Sequence, residues 1–240
     1  MTKNLSAVVI GSRTGRHLKT PVSVLPFGET TILNRTLSAY LEAGFTELIL
    51  VLSYRAAEVQ ASLGDLAGKV QLVTAADPDE EFGSLMRSGC ERVSSSARGF
   101  ALGMGDQPLL QPAFLTALGE KFVSSKSKIL VPVCQGHLGF PVFFDISLAS
   151  EFKKLPPQAE LWDLLKARGQ DVFDCGVYET AVVRHVDDME DYHAMLRLAG
   201  LPIPETPPEI EPGNGATPES AMAPEAGFLG PVRRVEAVEE

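Results

Sequence analysis

Short apolar runs alternate with stretches of helical length along the 240-residue chain, and this alternation constrains the fold more than any motif does. The first run, Leu5–Ile10, stops at Gly11, which suits a buried parallel strand better than a half-exposed one. Residues 47–52, 69–74, 100–104, 129–133, 142–144 and 180–186 read as further strands. Helices are expected over residues 32–43, 55–63, 83–93, 112–122, 159–167 and 188–198. Thr30 or Thr31 can cap the first of these helices, Gly44 ends it, and Pro112 opens a later one. Strands alternating with helices of this length predict a three-layer α/β fold, a mainly parallel sheet covered on both faces.

The alternation stops near Leu201. Residues 201–240 hold eight of the 17 prolines, eight Glu and two Arg, with no Lys or Asp. Such a segment cannot bury enough apolar surface to offset its ordering entropy. The expected organisation is therefore one domain over residues 1–200 and a Pro/Glu-rich disordered tail over 201–240. The net charge of −10 falls largely on that tail, leaving 19 basic against 23 acidic residues in 1–200. A mildly acidic body lacks the concentrated basic surface that nucleic acid requires, so no nucleic-acid partner is expected. Cys90, Cys134 and Cys175 are far apart, odd in number and show no CxxC pairing, which favours a reducing compartment. The sequence has no basic-then-apolar leader and no apolar run near the ~20 residues of a membrane span, so a cytoplasmic, membrane-free protein is expected.

Four segments could carry chemistry. The loop after the first strand holds Gly11, Ser12, Arg13, Arg16 and Lys19. Glycine lets the backbone approach a phosphate, and the cations neutralise it, although a basic loop is also ordinary solvated surface. It is neither a Walker A loop nor a GxGxxG fingerprint. Asp106 follows the strand at 100–104, at the end where open α/β sheets collect ligands, and a carboxylate there can hold Mg²⁺. The bland alternative is an Asp bonding its own turn. Asp187, after the strand expected at 180–186, could supply a second carboxylate. Its neighbours Asp188, Glu190 and Asp191 are explained as an N-cap and favourable charges on a helix start. Ser84 and Arg87 open the helix expected at 83–93 and could touch a base or phosphate, or simply cap and decorate it. His17, His137, His185 and His193 are scattered and read as structural or surface residues. The three cysteines and Trp162 read as core.

In this order the four segments resemble the MobA-like nucleotidyltransferases, and within them the molybdenum cofactor cytidylyltransferase branch. The resemblance spans residues 5–199. It rests on Gly11, Ser12 and Lys19, with Arg13 or Arg16 as the arginine, for an AAGxSxRMGxxK-like loop, Ser84-Leu-Met-Arg87-Ser-Gly89 for an SSLRAG-like helix start, and an intact DQPLL at Asp106–Leu110. Gly139-Phe140-Pro141-Val142 stands for a GHPV turn with Phe140 in place of its histidine, and Asp187–Tyr192 for a DTPEDY segment. The family's GDxGxR stretch is reduced to Pro157–Leu165, without its glycine and arginine.

The resemblance implies a Rossmann-like nucleotidyltransferase fold. It also implies Mg²⁺ held by Asp106 and Asp187, with Lys19 on the phosphates of an NTP, CTP favoured. Lys19, Asp106 and Asp187 would be catalytic. Gly11, Ser12, Arg13, Arg16, Lys19, Ser84, Arg87 and Asp106 would bind nucleotide. The implied reaction moves CMP onto a phosphorylated small acceptor, expected to be molybdopterin cofactor, and releases pyrophosphate. A sugar phosphate or phosphorylated alcohol is the alternative acceptor. A non-catalytic nucleotide-binding chaperone or regulatory module is the alternative class. A protein partner is expected for the tail, or a molybdoenzyme as the client.

Overall fold

Every residue of Leu5–Ile10 is buried, and this strand, β1, lies in the interior of the sheet, flanked by a strand on either side. The computed structural model describes residues 4–11, 20–76 and 80–204. After β1 come a two-residue ribbon, β2 (Pro26–Phe27) and β3 (Thr30–Thr31), then α1 (Ile32–Glu42), β4 (Glu47–Leu52) and α2 (Ala56–Ala61). β5 (Gln71–Thr74), α3 (Phe82–Cys90), β6 (Gly99–Met104) and α4 (Pro112–Ser125) follow. The last part holds β7 (Ile129–Cys134), β8 (His137–Leu138), β9 (Val142–Asp145), α5 (Ala149–Phe152), α6 (Leu161–Ala167), β10 (Val172–Gly176) and α7 (Met189–Leu198).

The main sheet runs β10-β7-β9-β6-β1-β4-β5, with β8 paired to β7. β1, β4, β5 and β6 are parallel to one another along their shared edges, and β7 is parallel to β10. β9 is antiparallel to both β6 and β7. Alternate residues of each strand face opposite layers. On one side Ala7, Val9, Leu50 and Ala101 pack under α1 and α4, against Leu33, Leu37, Leu115 and Phe122. On the other, Val8, Ile10, Val51 and Leu102 pack against Leu85, Met86 and Cys90 of α3, with Phe152 and Leu165 beyond. This is the three-layer, mainly parallel fold the sequence predicts. Thr31 is the N-cap of α1, its hydroxyl accepting from the Asn34 amide at 3.2 Å.

One strand assignment is overturned. Residues 180–186 form no strand: Thr180–Val183 is a single 3₁₀ turn, capped by the Glu179 side chain, and the sheet edge beside β7 is taken by β10 instead. The β-branched run Thr180-Ala-Val-Val reads as strand by composition, yet its carbonyls at Ala181 and Val182 accept from the Gln107 side chain, a bond no period-2 pattern reveals.

A third cluster joins the ends of the fold. Val22, Leu25, Phe27 and Ile32 pack on Val186, Tyr192, Met195 and Leu196, with Leu201 against them. The Tyr192 hydroxyl donates to the Pro26 carbonyl at 2.6 Å. Leu201 packs against this cluster, and residues 205–240, most of the expected tail, lie outside the described residues.

The layers are close-packed where β6 meets α1. A Cβ placed on Gly103 would sit 2.0 Å from the hydroxyl of Tyr40, itself fully buried beside Phe45. Gly103→Val should therefore lower the unfolding free energy by about 1–3 kcal/mol in urea titration, the usual cost of overpacking. Gly68→Ala, where a Cβ meets nothing within 4 Å, should change it by less than about 0.5 kcal/mol. Equal effects at the two positions would contradict this packing.

Candidate active site

From β1 the chain proceeds to β4 and β5 on one side, then returns to place β6 on the other. The strand order therefore reverses between β1 and β6, and a crevice opens at their carboxyl ends, the general ligand site of open α/β sheets. Gly11 and Gly105 continue the two strands by one residue. The Gly105 amide donates to the Ile10 carbonyl at 2.8 Å, and a Cβ on Gly105 would lie 2.8 Å from the Gly11 Cα. Only glycine permits that approach. Ser23 donates to the Gly11 carbonyl, tying the far side of the loop to the strand end.

Asp106 comes next. It is 4% exposed, so a charged side chain is held inside the crevice rather than offered to bulk water. Gln107 is 1% exposed, and its Nε2 donates to the carbonyls of Ala181 and Val182 at 3.1 and 3.0 Å. The same Val182 carbonyl accepts from the Phe140 amide at 2.8 Å. Three segments distant in sequence, the DQPLL stretch, the Gly139–Val142 turn and residues 180–187, thus meet at one peptide.

The meeting brings His185 to Asp106. Its Nδ1 lies 3.6 Å from Asp106 Oδ1, and its ring stands edge-on to Phe140 with centroids 6.2 Å apart. His185 is therefore a neighbour of Asp106, a proximity the sequence alone does not show. A signal for it exists: in extended chain, residues two apart share a side, so His185 travels with Asp187. Phe140 packs on Trp162 at 5.5 Å, which makes Trp162 a packing residue as expected.

Asp187 follows at the start of α7. Its amide donates to the Asp191 carboxylate at 3.0 Å, and the Asp191 amide donates to Asp188 Oδ1 at 2.9 Å. Asp188 therefore does the capping read from the sequence, and Asp191 adds a bond back to the Asp187 amide. Among the described residues, no group of three or more His, Cys, Asp or Glu stands at metal-binding spacing. The donor chemistry at Asp106, a buried carboxylate, suits a hard divalent cation that brings its own water and phosphate ligands.

Ser84 is buried in the first turn of α3, and Arg87 donates to its hydroxyl at 3.3 Å and to the Leu155 carbonyl at 3.0 Å. The guanidinium is thereby fixed between α3 and the loop before α6. Ser12, Arg13, Arg16 and Lys19 lie outside the described residues. The cysteines are all free and buried, and burial pushes each thiol upward, Cys90 most plainly, which leaves no thiolate for nucleophilic work. Among the described residues no helix is long and apolar enough to cross a membrane.

A model of the MobA-like NTP transferase domain matches residues 9–172, more than half the chain. This chain belongs to that family. Solved structures share the fold along almost their whole length. The crystal structure of Rv0371c from Mycobacterium tuberculosis H37Rv superposes with a TM-score of 0.71 at 29% identity, covering 80% of this chain and 97% of that one. The manganese complex of Rv0371c gives 0.68 at 27% identity, covering 80% and 98%. Molybdopterin-guanine dinucleotide biosynthesis protein A from Archaeoglobus fulgidus gives 0.62 at 12% identity, covering 82% and 99%, a likeness of fold alone. No curated protein matches the sequence. The matched region of this transferase-family chain takes in the crevice, Asp106 and Gln107, but ends before His185 and Asp187.

The Gln107 bridge can be tested directly. Gln107→Leu leaves the Ala181 carbonyl without that donor inside the fold, and should cost about 1–3 kcal/mol in chemical denaturation. A change below about 0.5 kcal/mol would mean that the bridge does not hold the 180–187 segment.

Proposed function

We propose that this chain transfers a nucleoside monophosphate from an NTP, with CTP favoured, to a phosphorylated small acceptor, and that the acceptor is a molybdopterin cofactor. The observation that carries the reading is Asp106, a carboxylate buried at the strand switch point within an intact DQPLL segment. The CTP preference rests on that segment together with Ser84-Leu-Met-Arg87-Ser-Gly89, whose combination resembles the cytidylyl branch.

In this reading Gly11 lets the backbone close on the triphosphate, while Ser12, Arg13, Arg16 and Lys19 bind and neutralise it. Ser84 and the fixed Arg87 stand on the nucleotide side, at the start of α3. Asp106 and Asp187 hold a divalent cation, Mg²⁺ or its close substitute Mn²⁺; a relative 27% identical was solved as a manganese complex. When bound, that cation supplies charge neutralisation at the phosphates. An acceptor phosphate oxygen attacks the α-phosphorus, the bond to the bridging oxygen breaks, and pyrophosphate leaves. Because the attacking phosphate is already ionised at neutral pH, the protein supplies positioning and charge rather than a general base.

The test is calorimetric titration of CTP, GTP, ATP and UTP with and without Mg²⁺, followed by an assay of pyrophosphate release with pterin acceptors. Metal-dependent binding of CTP is expected, and Asp106→Ala should lower turnover by at least about 10²-fold with unfolding unchanged. Normal turnover in that variant would remove Asp106 from the site, and preference for a different NTP would overturn the cytidylyl assignment.

A further inference from the structure

The loop between α5 and α6 lies directly on the first turn of α3. A Cβ on Gly83, the second residue of α3, would lie 2.5 Å from the Pro157 carbonyl oxygen and 2.8 Å from the Ala159 amide nitrogen, with the Pro156 carbonyl oxygen closer still. Residues 156–159 form a turn, the Ala159 amide donating to the Pro156 carbonyl at 3.0 Å. Its two prolines fix φ and disfavour helical backbone at Leu155, so the Leu155 carbonyl has a set direction. Arg87 donates to that carbonyl at 3.0 Å through one terminal nitrogen and to the Ser84 hydroxyl at 3.3 Å through the other. The start of a helix attracts anions to its free amides. At α3 the chain's own carbonyl oxygens, the negative ends of peptide dipoles, already pack there.

The same loop leads into α6, whose second residue, Trp162, is half-buried and packs on Phe140 with ring centroids 5.5 Å apart. Phe140 is itself fixed by its amide bond to the Val182 carbonyl and stands edge-on to His185, the neighbour of Asp106. Phe140 precedes β9, on the flank of β6 away from β1. α3 belongs to the opposite flank, where a Cβ on Gly89 would meet Val8 of β1 and Val51 of β4. Arg87 therefore stands on one flank of the crevice, and its hydrogen bond reaches the loop that leads to the wall of the other.

We infer that Arg87 is a positioning residue for the acceptor and not a nucleotide ligand: it holds the 155–160 loop and, through it, the wall formed by Trp162 and Phe140, a role that rests on the proposed nucleotidyl transfer. An NTP held by the loop after β1 lies on the β1 flank, which leaves the acceptor the flank lined by Phe140 and Trp162. Substrate walls act by geometry, and a displacement of about 1 Å far from the reacting atoms can lower the rate by roughly 10²-fold. Gly83 belongs to the same device, since any larger residue there drives the Pro156–Ala159 turn away from α3. Trp162 is the single tryptophan of the chain, so its fluorescence reports on this wall without a label.

The experiment uses the full-length protein and the variants Arg87→Met, Arg87→Lys and Gly83→Ala. Arg87→Met keeps the stem without its donors, and Arg87→Lys keeps one donor for the Leu155 carbonyl. Gly83→Ala displaces the turn by bulk alone and leaves α3 with a better helix former. Acrylamide quenching of Trp162 is measured on the free protein, CTP binding by calorimetry with Mg²⁺, and KM and kcat for CTP and for a pterin acceptor by pyrophosphate release. In Arg87→Met and Gly83→Ala, quenching of Trp162 should increase and the KM for the acceptor should rise about 10-fold or more. Affinity for CTP should stay within about 2-fold of wild type. Arg87→Lys should restore most of the acceptor KM, and thermal unfolding checks that each variant is folded. Loss of CTP affinity in Arg87→Met with Trp162 quenching unchanged makes Arg87 a nucleotide ligand and overturns the assignment. Quenching and acceptor KM unchanged in both Arg87→Met and Gly83→Ala overturn it equally. Failure of the wild type to bind any NTP or to use a pterin counts against the transferase reading; Trp162 quenching then decides the hold of Arg87 on the loop, an increase upholding it and no change overturning it.

Discussion

The hydrogen bonding of β1 to β6 does not stop where the strands do. It continues one residue further through the Gly105 amide and the Ile10 carbonyl, at a separation that leaves no room for a Cβ on Gly105. This close approach sets the width of the crevice at the carboxyl ends of the sheet, and Asp106 is the first residue with a side chain beyond it. The buried runs of β1, β4 and β6 hold the crevice rigid from below, because each is packed on both faces. A carboxylate emerging from such a base has little freedom, and low freedom is what a metal or phosphate site needs.

The remaining walls are brought in from elsewhere by polar and apolar contacts of different strength. Gln107 draws the 180–187 segment toward Asp106 with two hydrogen bonds to backbone carbonyls. The cluster around Tyr192 and Ile32 anchors the following helix α7 to the segment after the basic loop, with one hydroxyl–carbonyl bond at its centre. Burial drives this docking, at roughly 25 cal/mol per Å² of apolar surface, and the hydrogen bonds choose its register. On the far side, Arg87 fastens α3 to the Leu155 carbonyl, which ties α3 to the loop before α6. The crevice is thus framed by elements drawn from the first third, the middle and the end of the described chain.

Membership of the MobA-like NTP transferase family and the position of Asp106 agree, and they do so for a shared reason. Nucleotidyl transfer asks a protein for phosphate binding, a cation and exclusion of stray water, all of which a switch-point crevice offers. The departures lie on the other side of the site. Phe140, where the resemblance leads one to expect a histidine, packs on Trp162 and stands edge-on to His185.

Layered α/β architecture, the strands at β1, β4, β6, β7 and β9, the helices between them, the Thr31 and Asp188 caps and the carboxylate at 106 were all legible in the sequence. Each depends on local rules: apolar runs of strand length, capping side chains and the place of a carboxylate after a strand. What the sequence misassigned was the segment 180–186, and so it did not show that His185 lies beside Asp106. Its β-branched residues predict a strand, but the edge of the sheet was already occupied by β10, whose mixed pattern Val172-Phe-Asp-Cys-Gly gives little periodic signal. Only the tertiary structure decided that the carbonyls of Ala181 and Val182 would be satisfied by a glutamine 74 and 75 residues away, since such a bond costs loop closure and leaves no local trace. That long-range choice, and no motif, set the imidazole 3.6 Å from the Asp106 carboxylate.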